Sequence, residues 1–210
     1  MLLALSDGRD LTASALAAEA GVSASTASEH LAQLVNAGLL TAVKHGRHRY
    51  FKLAGAAVGE LLESMSRLAP NRQIRSLREG TKAHALRQAR SCYDHLAGRL
   101  GVAVADAFAA RGWVETSGDT GFLIRDIGRR ELAAVGVELP AGNVVRSCVD
   151  WTERRPHLAG AHGRAVLSAF LERGWVARDS RPRVLMVTRP GQAALRDLLA
   201  VEWPPVAGQR

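Results

Sequence analysis

The chain has 210 residues, enough for two modest domains, and its 47% hydrophobic and 23% charged residues are typical of a folded globular protein. Its formal net charge of +8 favours a polyanionic partner. No apolar run reaches transmembrane length, and the two cysteines are too few for a secreted disulfide scaffold. We therefore expect a cytoplasmic protein with no membrane contact.

Two helices joined by a tight turn are predicted near the start of the chain. Thr12 is expected to cap a helix over residues 13–20, and Gly21 can adopt the positive φ that a sharp turn requires. Ser23 is a good cap for the second helix. That helix carries an apolar face formed by Ala27, Leu31, Leu34 and Val35.

A basic hairpin is predicted directly after the second helix. Gly38 ends the helix, residues 39–43 and 49–53 alternate as strands, and the turn between them reads Lys-His-Gly-Arg-His. A helix with a short polar tip fits the DNA major groove, and a cationic hairpin suits the phosphates beside it. The predicted DNA-contacting residues are Ser23, Ser25, Thr26, Ser28, Glu29, His30, Lys44, His45, Arg47 and Arg49. The alternative is a small helix–hairpin unit with a solvated charged turn.

The segment LTASALAAEAGVSASTASEHLAQLVNAGLL, followed by KHGRHRYFKL, resembles the winged helix-turn-helix of ArsR/SmtB-type bacterial repressors. The resemblance covers about the first third of the chain. It implies a homodimer that binds a palindromic operator in double-stranded DNA and leaves it when an inducer binds. Some members carry a cysteine-rich metal site on the helices of this motif, and both helices lack cysteine here.

Two further helical segments are predicted between residues 56 and 90. The first has an apolar stripe formed by Val58, Leu61, Leu62, Met65 and Leu68, which packs either on its own domain or on a second copy of the chain. The second, residues 72–90, is polar and basic, and we interpret it as a connecting helix whose arginines form a solvated face.

An internal repeat occupies the rest of the chain. The 20 residues from His95 match the 20 from His157 at 13 positions, and each copy follows a Cys-x-Asp triplet. The second copy has six extra residues, 151–156, before its histidine. Such repetition indicates one unit used twice around a pseudo-twofold axis.

The predicted fold class is α+β, mainly α with small β-hairpins. A winged helix-turn-helix over residues 1–70 and a connecting helix over 71–90 precede a C-terminal sensing or dimerisation domain over 91–210. That domain is predicted to contain two helix–hairpin–helix units, at about 91–140 and 147–203.

The repeat also brings together residue types that bind soft or borderline metals or present a reactive thiol. These candidate sensor residues are Cys92, Asp94, His95, Cys148, Asp150 and His157. Two thiolates with one or two imidazoles would suit a zinc- or cadmium-type ion, and two thiols alone could bind trivalent arsenic or form a disulfide. In the structural alternative, the two aspartates cap helices and the cysteines fill core gaps.

Three function classes remain open at this point. The leading hypothesis is a homodimeric transcriptional repressor, not an enzyme, released from DNA by an effector in the C-terminal domain. An organic effector could lie among Trp113, Trp151 and Trp175, although the repeat favours Trp113 and Trp175 as core anchors. The alternatives are a thiol enzyme, because two cysteines and an aspartate loosely resemble alkylmercury lyase, and a constitutive DNA-binding protein without an effector.

Overall fold

The computed structural model describes residues 1–6, 9–68, 77–118 and 121–204. The chain divides into two compact units, Met1–Asn71 and Arg72–Arg210. The predicted chain break at Pro70-Asn71 and the first residues of the predicted connecting helix, 72–76, lie outside the described residues.

The first unit is a helix-turn-helix with a three-stranded antiparallel sheet. A short 3-10 turn, Leu2–Leu5, precedes it. Its helices are α1 (Ala13–Ala20), α2 (Ala24–Asn36) and α3 (Ala56–Leu68). Its strands, in the order β1-β3-β2, are β1 (Leu11–Thr12), β3 (His48–Leu53) and β2 (Leu40–His45).

Local sequence signals determine where the helices of this unit begin and end. The Thr12 side chain accepts a hydrogen bond from the Ala15 amide at the start of α1, and Ser23 accepts one from the Thr26 amide at the start of α2. Ala27 and Leu31 on the apolar face of α2 are buried. The predicted hairpin is present, and its first strand extends two residues and its second strand one residue closer to the turn than expected, to the pair His45 and His48.

The second unit is a mixture of helices and short antiparallel strands. Its helices are α4 (Leu77–Gln88), α5 (Gly98–Ala110), α6 (Asp126–Ala134), α7 (Gly160–Glu172) and α8 (Arg189–Leu199). Its strands are β4 (Arg90–Cys92), β5 (His95–Ala97), β6 (Val114–Ser117), β7 (Gly121–Ile124), β8 (Val144–Val149), β9 (Pro156–Leu158), β10 (Val176–Arg178) and β11 (Leu185–Val187).

The strands of the second unit form one four-stranded sheet, β6-β7-β8-β9, and two hairpins, β4-β5 and β10-β11. The element order α5-β6-β7-α6 recurs as α7-β10-β11-α8. Strand β8 pairs with β7, and a bridge from Arg90 to Val184 joins the start of β4 to the chain just before β11. The chain segments on either side of residue 140 therefore contribute to the same sheets.

One hydrophobic core lies within the second unit, and α5 and α7 supply much of it. Phe108 contacts Trp113 at a ring-centroid distance of 5.2 Å, and Phe170 contacts Trp175 at 5.0 Å. These two aromatic pairs occupy equivalent positions of the sequence repeat, 62 residues apart. Burial of such large side chains makes them strong contributors to the stability of the unit.

The hairpins β4-β5 and β8-β9 show that neither repeated aspartate is the N-cap residue of a helix, although Asp150 accepts a hydrogen bond from the first amide of α5. The helices α5 and α7 begin at Gly98 and Gly160, and their N-cap residues are alanines whose side chains make no capping hydrogen bond. Asp94 lies in the tight turn of the β4-β5 hairpin, and Asp150 lies in the longer loop between β8 and β9. The Cys-x-Asp triplets therefore mark strand ends.

Gly101 in α5 and Gly163 in α7 allow each helix to pack closely on the strand before it. A Cβ atom at Gly101 would collide with the carbonyl oxygen of Leu96, and one at Gly163 would collide with that of Leu158. Only the absence of a side chain permits this approach.

We expect Gly101→Ala to lower the free energy of unfolding of the second unit by about 1–3 kcal/mol, because backbone must move to admit the methyl group. Ala109→Ser, which adds one atom at an exposed position of the same helix, is the control. Urea unfolding followed by tryptophan fluorescence measures the effect, since all four tryptophans lie in this unit. Equal stability of both variants would contradict the packing argument.

Candidate functional site

The N-terminal end of α2 presents a row of exposed polar side chains. Ser23, Ser25, Ser28, Glu29 and His30 are exposed, and Thr26 is half-buried. The hydroxyl of Ser23 lies 2.9 Å from those of Ser25 and Thr26. The opposite face of α2 is fixed by the buried Ala27 and Leu31, so the polar tip faces solvent in a defined orientation.

The hairpin β2-β3 places four predicted contact residues at or beside its turn. Lys44, His45, Arg47 and Arg49 are all exposed. The Arg49 guanidinium lies 5.4 Å from the centre of the Phe51 ring, and this contact orients it along the strand. An α-helix fits the major groove of B-DNA, which is about 12 Å wide, and a cationic hairpin beside it can reach phosphates. Nine of the ten predicted DNA-contacting residues are therefore exposed, at the N-terminal end of α2 and near the turn of the hairpin, and Thr26 is half-buried.

The second unit contains a cluster of four sulfur and nitrogen ligands. Cys92 lies directly opposite His95 in the β4-β5 hairpin, and Cys148 lies directly opposite His157 in the β8-β9 hairpin. One ligand atom from each of the four residues lies within 4.8 Å of the other three. Cys92, His95 and His157 are buried, and Cys148 is half-buried. The structure therefore brings together four of the six predicted sensor residues.

The two thiols of the cluster are close but not joined. The Sγ atoms of Cys92 and Cys148 are 3.9 Å apart, whereas a disulfide bond measures about 2.05 Å. The neighbouring Cys92 thiol holds the pKa of Cys148 well below its ordinary value, and the imidazoles of His157 and His95 act in the same direction against the effect of burial. These surroundings favour the thiolate form of Cys148.

The two histidines have different surroundings. Nδ1 of His95 lies 3.3 Å from Asp94, whose other carboxylate oxygen accepts hydrogen bonds from Arg164. Burial lowers the pKa of His95, but the Asp94 carboxylate and the nearby Cys148 sulfur together outweigh it and leave the pKa raised. Among the described residues, Nε2 of His95 and both ring nitrogens of His157 have no hydrogen-bond partner. The rings themselves are 5.1 Å apart between centroids.

Asp94 and Asp150, the other two predicted sensor residues, are not part of the four-ligand cluster. Asp94 contacts His95 and lies behind it, as described above. The Asp150 carboxylate accepts hydrogen bonds from Arg90 at 2.7 Å, from the Gly98 amide at 2.7 Å, and from Thr152 and the Glu153 amide. Burial raises the pKa of Asp150, but the Arg90 charge and the hydrogen bonds from Thr152, Gly98 and Glu153 together outweigh it and hold the pKa well below its usual range.

The interpretation of Arg90 as part of a solvated arginine face on the connecting helix is wrong, because α4 ends at Gln88 and Arg90 begins the buried strand β4. Arg90 and Asp150 are both completely buried, and the Arg90 guanidinium also lies 4.7 Å from the centre of the Trp151 ring. The triplet Arg-Ser-Cys occurs before both copies of the repeat, at residues 90–92 and 146–148. The similarity between the two copies therefore begins before the 20 residues that start at each histidine. An arginine at the start of a short buried strand could have been recognised as the partner of a buried carboxylate.

The tryptophans do not form an organic effector pocket in the described structure. Trp113 and Trp175 line a small apolar gap together with Phe108 and Phe170 from the same core. The gap encloses about 10 Å³, roughly the space of one water molecule. Trp151 lies elsewhere, against Arg90.

Within the described ranges, the helices are all too short or too polar to cross a lipid bilayer. Residues 1–42 match the family model of bacterial regulatory proteins of the arsR family. A relative from Bacillus subtilis (strain 168), whose name is uncharacterized HTH-type transcriptional regulator YdfF, is 37% identical over 207 residues, covering 96% of this chain and 91% of the relative.

The exposed polar tip of α2, the basic hairpin β2-β3 (the wing) and these similarities together define a DNA-binding transcription regulator. More particularly, the chain belongs to the ArsR family of bacterial regulatory proteins.

We expect Asp150→Asn to lower the free energy of unfolding of the second unit by about 3–5 kcal/mol, because it leaves the buried Arg90 charge without its partner. Asp106→Asn, which breaks an exposed ion pair with Arg155, should cost about 1 kcal/mol or less. Urea unfolding of both variants measures the difference. Similar losses for the two variants would show that the buried pair is not a major support of the unit.

Proposed function

We propose that the protein is a homodimeric repressor that binds a palindromic operator and is released from it by an effector bound in the C-terminal unit. The observation that carries the DNA-binding part is the shared exposure of the α2 tip and the wing on one small unit. The membership of the ArsR family supports repression and release, because both are the usual behaviour that the resemblance implies.

The two elements have separate roles in DNA binding. The tip of α2 reads base edges, since short hydroxyl and carboxylate side chains such as Ser28 and Glu29 can pair with donors and acceptors in the major groove. The wing residues Lys44, Arg47 and Arg49 bind phosphates and fix the position of the helix. His45, beside them in the wing, lies edge-on to Tyr50 at 6.4 Å.

Selection of duplexes from a randomised library tests DNA recognition directly. We expect the purified chain to enrich a sequence with two inverted half-sites about one helical turn apart, as a two-fold symmetric dimer requires. Enrichment of no sequence, or of a single unrepeated site, would contradict a dimeric operator complex.

We expect Arg47→Ala to weaken binding to all DNA sequences alike and to flatten the dependence of log affinity on log salt by about one unit. The loss of one phosphate contact is the physical reason. Arg130→Ala, which removes the same charge from an exposed position of α6 in the other unit, is the control. Fluorescence anisotropy of a labelled selected duplex at several salt concentrations measures both slopes. An unchanged slope for Arg47→Ala would remove the wing from the interface.

The α3 helix supplies the proposed dimer surface. Leu61, Met65 and Leu68 are spaced along one side of the helix and are 53%, 58% and 86% exposed. The buried Gly59 and Glu63 lie on its inner side. Val58 and Leu62 of the predicted stripe are half-buried, whereas Leu61, Met65 and Leu68 are left exposed by the unit. We propose a second copy of the chain as the partner of these three side chains.

We expect Leu61→Lys to convert the dimer to a monomer and to weaken operator binding, because a charge would be buried in an apolar contact. Ala56→Lys adds the same charge at an exposed position more than a turn away and on another side of α3. Size-exclusion chromatography with light scattering measures the mass of each variant. A dimer of unchanged mass for Leu61→Lys would place the interface elsewhere.

Two other functions have weaker support. An enzyme of the alkylmercury-lyase type would need an aspartate available beside the cysteines, but Asp150 is held in a buried ion pair and Asp94 is held by Arg164. A constitutive DNA-binding protein needs no ligand cluster in its second unit. Turnover of an organomercurial by the purified chain would favour the enzyme.

A further inference from the structure

We infer that Cys92, His95, Cys148 and His157 form a closed, four-ligand site for a zinc-type divalent metal ion. The regulatory consequence of this site rests on the proposed function, whereas metal binding itself does not. Donor set, spacing, burial and charge each support the inference.

The donor set is matched between two hairpins. Each hairpin contributes one cysteine and one histidine as a directly opposed cross-strand pair, so the two side chains of a pair leave their strands side by side. Two cysteines and two histidines are one of the usual ligand sets of tetrahedral zinc sites. Cys92 and His95 have a short Cys-x-x-His spacing, whereas Cys148 and His157 lie nine positions apart and are brought together by strand pairing.

The spacing of the ligand atoms suits one ion. With a Zn–S distance of about 2.3 Å and tetrahedral angles, two thiolates on one ion lie about 3.8 Å apart. The observed Sγ–Sγ distance is 3.9 Å, and all four ligand atoms lie within 4.8 Å of one another. The cluster is therefore close to metal-binding geometry without movement of the backbone.

Unpartnered nitrogen atoms are the strongest independent observation. His157 is completely buried and His95 is 6% exposed, yet Nε2 of His95 and both ring nitrogens of His157 have no hydrogen-bond partner within the described structure. Buried polar atoms are nearly always satisfied in native proteins, and each exception calls for an explanation such as an ion. A metal ion bound by one nitrogen of each ring supplies that explanation.

The surroundings of His95 are those of a metal-bound imidazole. Its Nδ1 faces the Asp94 carboxylate, which Arg164 holds in place. Metal-ligating histidines usually donate their second N–H to such a carboxylate, and this fixes the ring orientation. The arrangement leaves Nε2 of His95 as its ligand atom.

Charge decides the class of ion. The charge of two thiolates and two neutral imidazoles balances the charge of a divalent cation, so the metal-bound site is neutral and can remain buried. Sulfur and imidazole ligands favour zinc, cadmium or cobalt over magnesium and calcium, which prefer oxygen. Trivalent arsenic would use the thiols and leave the two imidazoles unexplained.

The site also joins the two repeats. A Cβ at Gly163 of α7 would lie 3.0 Å from Cβ of His95, and one at Gly101 of α5 would lie 3.8 Å from Cβ of His157. Each repeat's helix thus packs against the histidine of the other repeat. In addition, Cys92 lies only four residues after the end of α4, the helix that leads from the first unit. An ion that fixes the two hairpins together would also fix the strand that continues α4.

Titration of the reduced, metal-free full chain with Co²⁺ tests the site. We expect one ion per chain, with the strong visible bands of tetrahedral cobalt and a sulfur-to-cobalt charge-transfer band, and we expect equimolar Zn²⁺ to remove them. Cys148→Ser should abolish the charge-transfer contribution of that sulfur and weaken binding. His162→Gln, at a buried histidine bonded to the Gly142 carbonyl outside the cluster, should leave the spectrum unchanged.

A milder variant keeps the test decisive if the ligand variants fail to fold. Asp94→Asn should retain the tetrahedral cobalt spectrum but weaken Zn²⁺ binding about 10- to 100-fold, measured by competition with a chromophoric chelator, because it loosens the orientation of His95. Weak octahedral spectra in the wild-type chain would overturn the proposal. So would protection of both thiols by arsenite, or a Cys92–Cys148 disulfide, under conditions in which Co²⁺ and Zn²⁺ do not bind.

Anisotropy of the selected duplex, recorded with and without Zn²⁺ or Cd²⁺, separates this inference from the proposed function. Release of DNA by the ion in the wild-type chain and its loss in Cys148→Ser supports a metal-responsive regulator. Tetrahedral cobalt binding without any DNA binding would contradict the proposed repressor function and support the metal site. DNA binding with no metal spectrum would do the reverse.

Discussion

A buried ion pair between Arg90 and Asp150 holds together the two hairpins that form the four-ligand cluster of the second unit. Arg90 begins the β4 strand, and Asp150 follows the β8 strand, so the pair ties together the two hairpins that carry the cysteines. The same carboxylate accepts a hydrogen bond from the Gly98 amide at the start of α5. Because both charges are completely shielded from water, neither side chain can leave without exposing the other to an apolar surrounding.

The DNA-binding unit was largely predictable because its signals are local. Thr12 and Ser23 cap helices through hydrogen bonds to amides three residues away, and the apolar face of α2 follows helical spacing. The wing follows from alternating strands around a Gly-containing turn. The short β1 strand, Leu11–Thr12, was missed, because its pairing with β3 is set by tertiary contact and leaves little trace in so few residues.

The ligand cluster was predictable only in part, since its geometry comes from pairing between distant strands. The repeat identified six candidate residues, but it could not show that Cys92 faces His95 across a strand pair rather than preceding a helix. Nor could it separate the aspartates from the true cluster. That separation depends on Arg164 and Arg90, whose side chains hold Asp94 and Asp150, and neither arginine is close in sequence to the carboxylate it binds.

The unequal lengths of the two hairpins have a consequence for how such a unit diversifies. The first hairpin turns through two residues, whereas the second spans the six-residue loop 150–155. Once two copies of a motif share one polypeptide, they are inherited together and no longer need to remain identical. The aspartate of the short hairpin faces a histidine, while its counterpart on the long loop has become an anchor for the scaffold. In a symmetric assembly of identical chains, the same residue would have the same surroundings in each copy and could not take two different roles.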